Sequence, residues 1–143
     1  MLEYNKEELC NDKNKEELYN DKEVCDKLKE VGLLDVVAKM ISSPSFISID
    51  FNDIKCVLKD KTIINSFYNK LNINDKINFN FTKCDDSKAI IIVECGINSI
   101  IYKIVNFLSI VRNSIGKVDI SYGIYIDDEL KKNEVNLLVI ITK

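Results

Sequence analysis

The chain has 143 residues, 46% hydrophobic and 30% charged, a balance that suits one globular domain with a real core. Its net charge of −3 argues against nucleic acid as a partner. It has no histidine, which removes Ser-His and Cys-His catalysis, and its five cysteines (Cys10, Cys25, Cys56, Cys84, Cys95) form no CxxC pair, so no metal site is expected.

The start, Met1-Leu2-Glu3-Tyr4-Asn5-Lys6-Glu7, lacks the apolar core of a signal peptide. No apolar run approaches the ~20 residues that span a bilayer. A cytoplasmic protein without membrane contact is expected. Residues 5–22 hold two copies of one segment, NKEELCNDK and NKEELYNDK, which differ only at Cys10 and Tyr19. Equivalent residues lie about two and a half helical turns apart, so Leu9 and Leu18 would face opposite sides of a single helix. Glu, Lys and Leu favour helix, while the Asn-Asp pairs weaken it. Residues 1–23 are read as a charged arm, helical or frayed: a duplication without function or a charged partner-binding arm.

From Val24 a helical stripe takes over, with Leu28, Val31, Leu34, Ala38 and Ile41 at steps of three and four. Leu33, Val36, Val37 and Met40 broaden it. The expectation is one long helix over about 24–42, ended by Ser42-Ser43-Pro44 because proline disfavours helix in the residue before it. Ser48 or Asp50 then caps a short helix from about Phe51 to Lys59. Thr62 to Leu71 reads as strand or helix, and Asn74-Asp75 as a turn. Ile77, Phe79 and Phe81 alternate as a half-buried strand, and Cys84 to Ser87 is polar loop.

Ala89-Ile90-Ile91-Ile92-Val93-Glu94-Cys95 is continuously apolar apart from Glu94, as in a central strand. Gly96 breaks it. Asn98 or Ser99 caps a helix to about Ser114, with Ile101, Ile104, Val105, Leu108, Val111 and Ile115 on its buried face and Gly116 as its stop. Two strands follow, Val118 to Ile126 and Val135 to Thr142. Val118, Ile120, Tyr122, Ile124 and Ile126 face inward in the first, and Val135, Leu137, Val139 and Ile141 in the second. Strand, helical crossover, strand and hairpin strand make an α/β (α+β) fold. The expected sheet is mixed and mostly four-stranded, with helices packed on it and the long helix before it, in a single domain over 24–143.

Several segments resemble the C-terminal half of the FtsZ/tubulin family, in order. VVAKMISSPS resembles the end of the family's central helix. Pro44 to Lys55, PSFISIDFNDIK, resembles the synergy loop, P-G-x-I-N-x-D-F-A-D-V-K. AIIIVECGIN is similar to the strand that precedes a Gly-Gly turn. KVDISYGIYIDDEL resembles A-N-I-I-F-G-A-x-I-D-E-x-L, and VNLLVIITK the closing V-T-V-I-A-T-G strand. The resemblance covers about residues 24–143, and the loop, YGIYIDDEL and the last strand together are its specific part. The departures matter equally. The GTPase domain that precedes the central helix has no counterpart. Gly32, Gly96, Gly116 and Gly123 are too scattered to cradle a phosphate. The segment after Leu58 is shorter than in the family, which suggests that a helix there is eroded or replaced by strand. No stretch of this sequence resembles the family's tail that recruits membrane anchors. The charged repeat ahead of the helix suggests a face that has become solvated where a domain was lost.

In the family this loop reaches across a filament contact, where two aspartates position water at the GTP of the next subunit. By position these are Asp50 and Asp53, with Ser48 for the family's asparagine and Ser45 for its glycine. The resemblance thus implies an FtsZ/tubulin-like partner docked on Ser48, Asp50, Asn52 and Asp53. It implies no nucleotide or other cofactor, no metal and no catalytic residue in cis. Carboxylates suit the orientation of water beside a phosphate, but both aspartates equally suit a helix N-terminus. Three functions follow: a non-enzymatic module that caps or modulates filament assembly, a trans activator of the partner's GTP hydrolysis, and a structural or self-associating domain with no filament role. Asp85-Asp86 and Asp127-Asp128-Glu129 are read as solvated loop acids, since no EF-hand spacing follows them. Tyr102, Tyr122 and Tyr125 are read as packing residues.

Overall fold

A strand can be apolar at nearly every position only where both of its faces are covered. Lys88–Cys95 is such a strand, and it occupies the middle of the sheet. The computed structural model describes residues 12–81 and 86–143; the first repeat copy up to residue 11, Cys10 included, and also Cys84 and Asp85, lie outside the described residues. The described elements run α1 (Asp12–Asn20), α2 (Lys22–Glu30), α3 (Leu34–Ile41), β1 (Ser45–Ile47), α4 (Phe51–Leu58), β2 (Ile63–Asn72), β3 (Lys88–Cys95), α5 (Ile101–Ile115), β4 (Asp119–Ile126) and β5 (Glu134–Thr142). No described helix is long and apolar enough to cross a membrane.

Among the described residues the sheet has five strands in the order β1-β4-β3-β5-β2, one more than expected, because Ser45–Ile47 pairs with the outer side of β4. Only β3 and β4 are parallel, joined through α5; every other pairing is antiparallel. Period-2 geometry sorts the strand residues onto two faces. Ile90, Ile92, Tyr125, Leu138 and Ile140 pack under α1 to α4. Ala89, Ile91, Val93, Val135, Leu137, Val139 and Ile141 pack under α5. Both faces of β5 are therefore buried, not just the one carrying Val135, Leu137, Val139 and Ile141.

The single helix expected over 24–42 is two helices. Gly32 has φ +71°, its N–H donates to the carbonyl of Lys29 (3.0 Å), and the N–H of Leu33 donates to that of Leu28 (2.9 Å). This pair of bonds is a Schellman stop, and Leu28 and Leu33 supply its apolar contact. The chain then restarts as α3. Folding back in this way buries Val24, Leu28, Leu34, Val37, Met40 and Ile41 in one cluster, and residues 24–40 expose no large apolar side chain. The second repeat copy joins that cluster. Leu18 is fully buried, the Cys25 thiol donates to its carbonyl (3.0 Å), and Asp21 caps α2 by accepting from the N–H of Val24 (3.2 Å).

Three other expectations need correction. Thr62 to Leu71 resolves as strand, but Ile77 to Phe81 pairs with no described strand. Its alternation survives as packing: Phe79 and Phe81 stack, and both meet Phe67 edge-on. The helix after Gly96 begins behind Ile100, with no side-chain cap from Asn98 or Ser99. Its buried stripe is Ile104, Phe107, Leu108, Val111 and Ile115; Ile101 and Val105 fall at the margin of that stripe and are exposed.

Candidate functional site

The PSFISIDFNDIK run divides into three parts. Ser45–Ile47 is the edge strand β1, so the loop proper is only Ser48 to Asp50, and Phe51 already begins α4. The helix starts there because Asp50 and Asp53 form a reciprocal capping box: the Asp50 carboxylate accepts from the N–H of Asn52 (3.3 Å), and the Asp53 carboxylate accepts from the N–H of Asp50 (3.2 Å). Phe51, Ile54, Val57 and Leu58 anchor the buried side of the helix. At its far end Lys27 donates to the carbonyl of Leu58 (2.7 Å) and Thr142 to that of Val57 (2.6 Å). The helix behind the loop is thus held at both ends.

Ser48, Asp50, Asn52 and Asp53 are all exposed and lie together at one end of α4. The Ser48 hydroxyl shares a hydrogen bond with that of Ser45 (2.6 Å). Ile49, between Ser48 and Asp50, is buried, while Phe46 and Ile47, between the two serines, are exposed apolar neighbours. A groove of about 290 Å³, lined by Glu17, Asn20, Asp21, Phe51, Asn52 and Lys55, runs beside the site between α1 and α4.

The loop backbone is gripped by residues far away in sequence. The side-chain amide of Asn14, itself buried, donates to the carbonyl of Ile49 (3.1 Å), and its oxygen accepts from the N–H of Phe51 (3.0 Å). The hydroxyl of Tyr125 accepts from the N–H of Ile49 (2.9 Å) and donates back to its carbonyl (3.4 Å). Burial pushes the Tyr125 hydroxyl up to about 12, an effect the bond to Ile49 opposes, so it stays a neutral donor and acceptor. Gly123 makes this approach feasible. A Cβ there would stand 2.7 Å from the Tyr125 ring and 3.1 Å from the carbonyl of Ile47. Sequence reasoning named Tyr125 only as a packing residue and did not name Asn14, Gly123, Phe46 or Ile47 for this site. The nearest signal was the pairing of a repeat with a YGIY segment, which has no spacing rule attached.

Chemically, the site offers two exposed carboxylates whose positions are fixed by backbone N–H groups. Each keeps acceptor capacity beyond the capping bonds. The site can bind donors, or orient water, on something that another molecule brings.

Neither a known family profile nor any curated protein matches this sequence. Solved structures do match. The chain is similar to an empty FtsZ dimer from M. jannaschii (TM-score 0.55, 20% identity, 90% of this chain and 42% of that one). It is also similar to a tryptophan-to-tyrosine FtsZ mutant from the same organism (TM-score 0.50, 18% identity, 91% of this chain and 45% of that one). The chain therefore spans less than half the length of the proteins it matches. What these matches establish is the fold, that of the FtsZ C-terminal domain, built here on a five-stranded sheet.

Proposed function

We propose that the chain is a docking module for an FtsZ/tubulin-like filament subunit, and that it caps or modulates assembly through Ser48, Asp50, Asn52 and Asp53. The observation behind this reading is that all four are exposed at the loop that leads into α4, while the backbone beneath them is tied down on both sides. A preorganised surface loses little conformational freedom on docking. The fold match supports the comparison with FtsZ, one example of which is recorded as a dimer. Docking is favoured over catalysis because both carboxylates already serve as a reciprocal helix cap. No catalytic residue, cofactor or metal in cis belongs to this reading.

The test is to add the protein to an FtsZ from the same cell and follow light scattering and phosphate release. Substoichiometric protein is expected to lower polymer mass while leaving turnover per polymer unchanged. Asp50→Asn keeps a cap, since Asn caps as well as Asp, and removes the charge. It should cost only a few tenths of a kcal/mol in stability yet weaken the effect on assembly several-fold. Asp50→Ala loses the cap as well, at about 1 kcal/mol. Turnover that rises with the protein and disappears in Asp50→Asn would establish trans activation instead. No change in scattering or turnover at any ratio would sink both readings.

A further inference from the structure

The tandem repeat is the one sequence motif that the proposed function does not use, and its second copy meets the loop directly. An amide side chain that accepts from the first N–H of a helix and donates to the carbonyl two residues earlier replaces a missing stretch of backbone pairing. Asn14 does this for Phe51 and Ile49 from a position 35 residues from Ile49 in sequence. Asn14 opens the second copy, Leu18 lies in its middle and Asp21 near its end. In order, these residues grip the loop, fill the core and cap α2. One nine-residue unit thus grips the loop, fills the core beneath α1 and caps the helix that follows.

We propose that the second repeat copy is a latch for the Ser48–Asp53 segment, with Asn14 as its positioning residue and Tyr125 as the counter-grip on Ile49. The first copy carries the same three residue types at the same spacing: Asn5, Leu9 and Asp12. Deleting residues 14–22 joins that copy directly to Glu23 and brings Asn5, Leu9 and Asp12 into register with the vacated seat. Only Tyr19 is lost in the exchange, replaced by Cys10. Tyr19 is exposed, and its hydroxyl reaches only the Asp35 carboxylate, at 3.3 Å. The latch is therefore expected to survive removal of the residue that forms it.

The latch is tested by amide hydrogen exchange on the full chain, without any partner. In Asn14→Ala the Phe51 amide should exchange about tenfold faster, as one buried hydrogen bond opens locally, while Ile91 and Val139 in the central strands stay protected. Asn14→Asp keeps the acceptor for Phe51 and loses the donor to Ile49, so Phe51 should stay protected. Tyr125→Phe should release Ile49 and spare Phe51. A change that scales all amides together would reveal a merely structural residue and overturn the latch. The deletion of residues 14–22 should restore wild-type protection at Phe51, and adding Asn5→Ala to that deletion should remove it again. A deletion variant that folds but leaves Phe51 unprotected overturns the exchange of copies. The importance of the latch for assembly rests on the docking reading, and the two fail separately. If Asn14→Ala frees Phe51 but keeps its full effect on FtsZ scattering, the latch stands and its importance for docking falls; if the wild-type protein leaves scattering unchanged, docking falls and the latch stands.

Discussion

Gly123→Ala is expected to destabilise the protein by about 1–3 kcal/mol, the range for adding a methyl group where there is no room, and to displace the loop while β3 and β5 stay paired. The cause is contact, not backbone freedom, because Gly123 is not among the residues with positive φ. The added Cβ would meet the Tyr125 ring at 2.7 Å and the Ile47 carbonyl at 3.1 Å. Neither neighbour yields easily. Tyr125 is buried, and its hydroxyl is held to Ile49 at 2.9 Å. The Ile47 carbonyl belongs to the edge strand whose register already shifts between Ser45 and Ile47. Relief must come from movement of the edge strand and the loop away from β4. Urea unfolding would show the loss as a lower midpoint with an unchanged slope. Ile49 and Phe51 amides should lose protection beyond that global change. Stability within about 0.5 kcal/mol of wild type, the spread of innocuous substitutions, would mean that the loop is not seated against Gly123.

The parts of this fold that were legible in sequence are those whose signals are local. The run around Ile90 to Val93 announces a strand covered on both faces, and it is the central one. Asp50 followed by Asp53 ahead of an apolar stripe marks a helix start, and the cap is there. Gly32 carries a local stop signal, but the stripe of Leu28, Val31 and Leu34 continues across it at helical spacing and hides it. The break appears only because α2 and α3 can then pack on each other and on the sheet. Ile77 to Phe81 shows the converse error. Alternation reports which side chains are buried, and Phe79 and Phe81 satisfy it against Phe67 and Phe107 without a ladder. The grip on the candidate site was hidden for a simpler reason. Asn14 and Tyr125 act 35 and 76 residues from Ile49, and an Asn in a charged repeat or a Tyr in a strand has many commoner uses. The four exposed residues could be named from the motif, whereas the scaffold that orders them is tertiary.

Glu94→Gln should keep stability that the wild type loses as pH rises to neutral, because Gln offers Asn136 the same acceptor and never ionises in the buried site. Glu94 stands near the end of the central strand and is 1% exposed. Asn136 on β5 donates to its Oε1 (3.1 Å), while Oε2 has no hydrogen-bond partner among the described residues. Burial raises its carboxyl above the ordinary value of 4.5; the Asn136 bond and the charge of Lys39 on α3 oppose the rise, and the charge of Asp127 after β4 adds to it. Tyr68 on β2 faces the same charge, and its hydroxyl is raised first by burial and then by Glu94. The sign follows from proton linkage. Below the ordinary carboxyl value both folded and unfolded chains hold the proton, and Glu94 imposes no ionisation penalty. As pH rises past it, the unfolded chain ionises first, so stability falls until the folded carboxyl also releases its proton. Wild-type stability should therefore decline relative to Glu94→Gln as pH rises from about 4 towards neutrality. Other carboxylates tilt both curves alike, so the difference between the two proteins isolates this group. Denaturant unfolding across that range should give curves that converge in acid and separate towards pH 7. Parallel curves would mean that the Glu94 carboxylate is solvated or paired in the folded protein. A Gln variant less stable than wild type at pH 7 would mean that the Asn136 bond and the Lys39 charge favour the ionised Glu94 by more than its burial costs.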